Sequence, residues 1–379
     1  MGVPPPERLK ARSTPPSPPR RLGNLRRAGL VASALLVLTA AASSYGRGEK
    51  PSIGPTNDPS KLAVVSASPA QPLPSSLVPA DPQDEPSGRE WKLIWGRSWQ
   101  ISGPVGESTA VTDERENNRG SCLPGQVEVA GNMKQHFLLD ELQMQSSCVD
   151  WIDKKWPERC GRYDRDKWLA ASKDLPTKPM HFCIDRYEYP NRKGEYPIIL
   201  VSWYEARDQC QAIGKRLCTE DEWTFACEGE EATPYPNGYV RDHDACLNDK
   251  PWKQFDDSAY NPRNGEKAKA ELDRLWQGLP SGARPLCKSS FGVYDLTGNI
   301  DEWTRSATPQ ERQSTLKGGY WGPVRTRCRP ATKAHDEQHV FYQQGFRCCS
   351  DAGSGQAAAT SSPATTASSS VAPASSASP

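Results

Sequence analysis

The sequence predicts a single irregular α+β domain, loop-rich and flanked by disordered N- and C-terminal extensions. Three observations lead there. Of 35 prolines, 19 lie in residues 1–28, 51–88 and 351–379, stretches that hold no Cys and no Trp. All 12 Cys fall between Cys122 and Cys349, and all 12 Trp between Trp91 and Trp321. Within that body long apolar runs are few, whereas Gly, Trp and turn residues abound, so short elements joined by ordered loops are expected. The core-forming part is 89–350, about 260 residues, the size of one large domain.

The ends set the compartment. Seven basic residues (Arg8, Lys10, Arg12, Arg20, Arg21, Arg26, Arg27) precede an apolar run from Ala28 to Ala42. At 1.5 Å per residue the run spans roughly 22 Å, short of a hydrocarbon core of roughly 30 Å. Ala40-Ala41-Ala42 fits a small-residue cleavage site. Residues 1–45 therefore read as a signal peptide or an N-terminal signal anchor, and 28–42 is the one segment expected to meet a membrane. Residues 46–88 carry nine prolines and read as a disordered Pro/Ser-rich linker. Residues 89–121 read as an extension packing on the core, and 351–379 as an Ala/Ser/Thr/Pro tail.

An export signal followed by twelve cysteines favours disulfides, and no C-x-x-C or paired Cys/His spacing suits structural zinc. An extracytoplasmic location (periplasmic, cell-surface or secreted) is expected. Formal net charge is +1; outside residues 1–28 the chain holds 40 basic against 45 acidic residues, net −5. No global basic field points to nucleic acid. With 36% hydrophobic residues and mean hydropathy −0.73, a polytopic membrane protein is excluded.

Along the body, Trp91, Trp95 and Trp99 fit a helix face or an aromatic strand equally well. Gln126-Val-Glu-Val-Ala alternates and reads as a strand. Residues 138–180 start helically and then become charged around Cys148 and Cys160, the pattern of an insertion stapled by its own bridge. Ile198–Val201 reads as an apolar strand. Ser202 with Glu205, and Thr219 with Glu222, form two capping boxes, each opening a short helix. The first ends at Gly214, the residue type that takes a left-handed C-terminal position without strain. These helices carry Cys210 and Cys227 inward. Glu228–Gly282 reads as polar loop. Leu316–Trp321 and Gly345–Cys349 read as closing strands, the latter turning Cys348 and Cys349 to opposite faces.

Five blocks in order resemble the sulfatase-modifying-factor domain, the formylglycine-generating-enzyme family. They are Val201-Ser-Trp-Tyr-Glu-Ala, Gly214-Lys-Arg-Leu-Cys-Thr-Glu-Asp-Glu-Trp223, Phe291-Gly-Val-Tyr-Asp-Leu-Thr-Gly-Asn-Ile-Asp-Glu-Trp303, Lys317-Gly-Gly-Tyr-Trp321 and Gly345-Phe-Arg-Cys348. The resemblance covers 122–350 and implies a C-type-lectin-like fold. It also implies bridges Cys210–Cys348 and Cys227–Cys328, and leaves the other eight cysteines unassigned. A structural calcium is implied at a turn, held by Asp295 and Glu302 with the carbonyls of Gly298 and Ile300; several oxygens around a Gly-containing turn suit a hard cation.

Catalysis departs from the family. Members that oxidise a substrate cysteine hold copper between two cysteines after the Gly-Gly block, and Tyr320–Arg327 contains none. A soft Cu(I) ion needs both thiolates, so copper is not expected and no catalytic residue is assigned. Tyr320, Trp321, Arg325 and Arg327 fall where the family's substrate groove lies, and with Arg329 they suit an anionic or sugar-like ligand or else form a solvated edge. The expectation is an exported binding module for a peptide, glycan or protein. The alternative is an oxidoreductase of the formylglycine-generating or non-heme-iron group with a divergent metal site, drawing on His335 and His339.

Overall fold

The computed structural model describes residues 89–103, 121–155, 159–309 and 312–354. The segments read as signal, linker and most of the tail lie outside the described residues. None of the described helices is long and apolar enough to cross a membrane.

The first element settles the tryptophan spacing. Strands β1 (Trp91–Ile94) and β2 (Ser98–Ile101) form an antiparallel hairpin. Trp95 and Gly96 adopt positive φ in its turn, so the four-residue repeat is two buried strand tryptophans around a turn tryptophan. The hairpin joins the body through paired backbone bonds between Trp99 and Ile199.

Strand β3 (Gln126–Lys134) leads into α1 (Leu139–Ser147), a bulged hairpin β4 (Cys148–Asp153) and β5 (Arg159–Tyr163), and α2 (Arg165–Ser172). The chain then returns as β6 (Thr177–Asp185), paired with β3 over nine residues from Gln126↔Asp185 to Lys134↔Thr177. Residues 135–176 are thus one long insert between hydrogen-bonded neighbours, closed by Cys148–Cys160. Residues 177–180 belong to the sheet rather than to the insert.

Helices α3 (Trp203–Ala212) and α4 (Glu220–Glu228) both open with complete capping boxes. Each box satisfies two orphan N–H groups, as in Glu222 N to Thr219 Oγ1 (3.2 Å) and Thr219 N to Glu222 Oε2 (2.8 Å). Between them runs β7 (Arg216–Leu217). Two expectations are corrected here. Ile198–Val201 forms no strand ladder, only an isolated bridge from Ile199 to Trp99 beside a bond from Ile198 N to the Tyr189 carbonyl; Leu200 has φ 59°, which breaks a strand, and the run is apolar because core packs on both of its sides. The presumed loop 228–282 contains α5 (Glu266–Leu275), whose Ala268, Leu272 and Leu275 are buried together with Glu271 in a mostly charged helix.

Strands β8 (Asp301–Arg305), β9 (Ser314–Lys317), β10 (Ala331–Thr332), β11 (Gln344–Phe346) and β12 (Cys348–Asp351) close the fold. One sheet has the order β3-β6-β12-β7, the other β10-β9-β8-β11, with β8 and β11 parallel. The two closing strands differ from their expected extent. β9 stops at Lys317 because Gly318 and Gly319 have φ 88° and 70°; a Cβ on Gly318 would lie 2.7 Å from the Leu296 carbonyl. The Gly345–Cys349 run is split at Arg347, which leaves the ladder and enters the core.

Six disulfides pin this framework: Cys122–Cys183, Cys148–Cys160, Cys210–Cys348, Cys218–Cys349, Cys227–Cys328 and Cys246–Cys287. Adjacent Cys348 and Cys349 face opposite ways and reach different helices' ends.

Candidate ligand-binding cleft

The insert and the β9–β10 side of the second sheet enclose a cleft of about 1030 Å³. Tyr320, Arg325 and Arg327 line it, as do Arg329, Asp140, Asp301 and His335. Trp321 does not. It is 1% exposed and packs edge-on against Trp276, 4.8 Å between ring centroids, behind the cleft.

Each cleft arginine already holds a carboxylate. Arg325 Nη2 donates to both oxygens of Asp301 (3.1 and 3.0 Å) and its Nε to Thr332 Oγ1. Arg327 forks onto Asp140 of α1 (2.7 and 3.0 Å) and also reaches Tyr163 OH. Arg329 forks onto the fully buried Glu228 at the end of α4. Arg327 and Arg329 make the two-nitrogen forks that arginine geometry favours, whereas Arg325 spans both oxygens of Asp301 from one nitrogen. Beneath them Lys317 is fully buried, donates to the Arg329 carbonyl (2.6 Å) and sits over the Trp223 ring. Burial pushes its ammonium down to about 8.

Several cleft residues carry no sequence signal. The parallel register Gln344↔Asp301 sets those two side by side, and Gln343 neighbours them. Phe137, 89% exposed, and Trp252, 56% exposed, stand at the rim. Phe137 runs straight into Leu138 and Leu139, so its surroundings in the chain gave no sign of a surface role.

No described cysteine is free. The segment from Gly319 to Cys328 has one sulfur, and it is bonded to Cys227. His335 and His339 stack face to face, centroids 4.0 Å apart and planes 9° apart. Ring-nitrogen lone pairs lie in the ring planes, so parallel stacked rings do not aim two lone pairs at one ion. Burial pushes both imidazoles below their ordinary value.

The turn bearing Asp295, Gly298, Ile300 and Glu302 lies in the core beside the cleft. Asp295, Gly298 and Asn299 all have positive φ, and a Cβ on Gly298 would fall 2.0 Å from the Leu247 carbonyl, so only glycine fits. Asp295 Oδ2 accepts from Gly282 N (2.6 Å). Glu302 is gripped by Arg347 through Nε and Nη2 (both 2.7 Å) and by Trp223 Nε1 (2.9 Å). Glu188, which the resemblance does not mark, accepts from Ser281, Asn299 and the Ile300 N–H. Three buried carboxylates therefore face two buried arginines, Arg347 close to all three and Arg284 acting on Asp295. Burial pushes Asp295 up to about 7 and Glu188 well above its ordinary value. Asp295 is the carboxylate least occupied by the protein, Glu302 is held by Arg347 and Trp223, and among the described residues no three His, Cys, Asp or Glu side chains form a group that could hold a metal ion.

Residues 127–352 match the family described as sulfatase-modifying factor enzyme 1-like domain. The chain belongs to that family, and its domain has the family's loop-rich, C-type-lectin-like α+β fold. Over 173 residues it is 33% identical to the bovine protein named inactive C-alpha-formylglycine-generating enzyme 2, a match covering 42% of this chain and 52% of that one. It is 27% identical over 192 residues to the formylglycine-generating enzyme of Mycobacterium tuberculosis, covering 43% and 60%. The chain thus spans about half the length of the curated relatives it matches. A looser likeness links it to PvdO from Pseudomonas aeruginosa, with 16% identity, TM-score 0.35, and coverage of 60% of this chain and 94% of that one; it carries no argument about function.

Proposed function

We propose that this is an exported, non-catalytic member of the family that binds a peptide, glycan or protein in the cleft lined by Tyr320, Arg325 and Arg327. One observation carries the reading: the segment where catalytic members hold copper offers no free thiolate, because Cys328 is bonded to Cys227 and no described cysteine is unpaired. One-electron chemistry on a soft ion has nothing to grip there. The relatives named inactive agree with this. Six disulfides support an extracytoplasmic setting, where such bonds persist, with residues 1–45 as the export signal or anchor. A calcium ion at the Asp295–Glu302 turn, held by Asp295 and Glu302 with the carbonyls of Gly298 and Ile300, serves structure and not reaction.

The test is oxygen consumption by the purified mature protein with Cu(I) and a cysteine-containing peptide. The expected result is no uptake above the copper-only control and no aldehyde in the peptide. Stoichiometric aldehyde formation ends this reading.

A further inference from the structure

Between β10 and β11 the chain makes a loop whose middle, His335–His339, straps two elements together. The Glu337 carboxylate accepts from Gln313 N (2.9 Å), Ser314 N (3.2 Å) and Ser314 Oγ (3.3 Å), and so holds the first residue of β9. The Glu337 carbonyl accepts from Trp203 N (3.1 Å), one of the orphan donors at the start of α3. His335 and His339 stand two residues to either side of Glu337. Both are half-buried, their rings form the 4.0 Å stack, and His335 lines the cleft. His339 Nε2 is buried without a partner. Four elements bring charge to the pair: Asp301 of β8, Arg325 beyond β9, Arg312 just before β9, and Asp257 before α5; Asp336 adds its own from within the loop. Of these, Asp301 is held by Arg325, and Asp336 Oδ1 accepts from Gln338 N (3.0 Å). At the cleft side Lys333 lies 3.6 Å from Glu220.

We propose that the stacked His335 and His339 form an acid-sensitive latch: neutral, they keep the strap on β9 and α3, and when both are protonated the strap lets go and the His335 side of the cleft opens. An imidazolium carries two N–H donors and no acceptor, whereas His339 Nε2 has no acceptor in reach. Two cations stacked at 4.0 Å repel each other, and Arg325 and Arg312 add to that repulsion. The carboxylates do not offset it. Asp301 is committed to Arg325, while Asp336 and Asp257 are exposed, where solvent and salt screen them. Burial, and for His339 the charge of His335 as well, hold both rings below the ordinary imidazole value of 6.5. The folded strap thus favours neutral rings. Its stability is complete above 6.5 and is lost as pH falls from there through the lowered values. Mild acid is the range in which histidine, among ordinary side chains, changes charge. The latch works whatever the cleft holds.

The experiment is amide hydrogen exchange on the mature protein at about pH 7.5 and about pH 5, corrected for the intrinsic pH dependence of exchange. Fragments covering Trp203, Ser314 and 333–342 report the strap, and the β3–β6 ladder serves as the internal reference. The expected result is a loss of protection of about tenfold or more at Trp203 and Ser314 in acid, with the ladder unchanged. In H335Q/H339Q that loss shrinks to about twofold or less. If the double variant is unstable, H339Q serves, since it leaves one imidazole and no pair of charges. E337A loses protection at the same amides already at neutral pH. Unchanged protection in acid overturns the latch, and so does an equal loss in the histidine variants, which would trace the effect to carboxylates. Loss spread evenly over the reference ladder overturns it as well, since that is acid unfolding of the whole domain.

Discussion

Arg347 and Glu302 form a two-point pair, both contacts 2.7 Å, with the arginine fully buried and the glutamate side chain 1% exposed. The same guanidinium donates to the carbonyls of Asp185, Arg186 and Tyr294. It therefore ties β11–β12, β6 and the Asp295 turn at one point, and its charge faces three buried carboxylates, with the buried Arg284 also acting on Asp295.

Replacing it exposes that dependence. R347M should destabilise the domain by about 3–5 kcal/mol, the cost of stranding a buried charge. Adding E302Q should recover part of the loss, since contacting residues are not additive. Chemical denaturation of the two variants checks this; equal loss in both would mean the pair contributes only packing.

Calcium should act through the same region. If the Asp295 turn binds the ion, saturating calcium at about 100 times Kd adds about 2.7 kcal/mol to stability. The melting temperature should rise with calcium, fall with chelator, and respond much less in D295N. A chelator-insensitive wild type contradicts the assignment.

Two bridges close nearly the same loop. Cys210–Cys348 and Cys218–Cys349 span 138 and 131 residues. While either remains, removing the other frees only a short circuit, worth about 2–3 kcal/mol in the chain-entropy model; a bridge closing the whole loop is worth about 5. Cys→Ala pairs at each bridge should therefore be tolerated singly, and the quadruple variant should lose more than their sum. Calorimetric melting of the three variants gives the answer; strict additivity refutes the shared-loop argument.

Lys317 should leave a signature in alkali. Its amine titrates near 8 when folded and at the ordinary 10.5 when unfolded. Between those values the unfolded chain binds the extra proton, so stability rises with pH across that window. Below 8 the buried charge is a full penalty, and above 10.5 it vanishes. Against K317M, wild type should gain up to about 3 kcal/mol from pH 8 to 10.5. A flat difference in urea midpoints over that range excludes the effect.

Local grammar was readable and tertiary pairing was not. The capping boxes at Ser202/Glu205 and Thr219/Glu222 lie within four residues, so their hydrogen bonds are written in the chain itself. The tryptophan repeat was ambiguous because four-residue spacing satisfies both a helix and a hairpin with a two-sided turn. Helix α5 was missed because two of its four apolar positions are small alanines, Ala268 and Ala270, and all four are separated by Lys, Glu, Asp and Arg. Arginines 325, 327 and 329 were visible as a cluster, yet their carboxylate partners come from Asp301, Asp140 and Glu228, between 24 and 187 residues away. Whether a guanidinium is available or already engaged depends on those distant partners, which is why an anionic ligand looked as good as a sugar.

The stretch between β3 and β6 has its own covalent brace and supplies Asp140 and Phe137 to one wall of the cleft. It departs from and rejoins the body at adjacent strands, so it can be lengthened, trimmed or exchanged while both sheets stay as they are. Change in that stretch reshapes one side of the cleft while the strand pairings of both sheets persist, provided a partner for the buried Arg327 is kept.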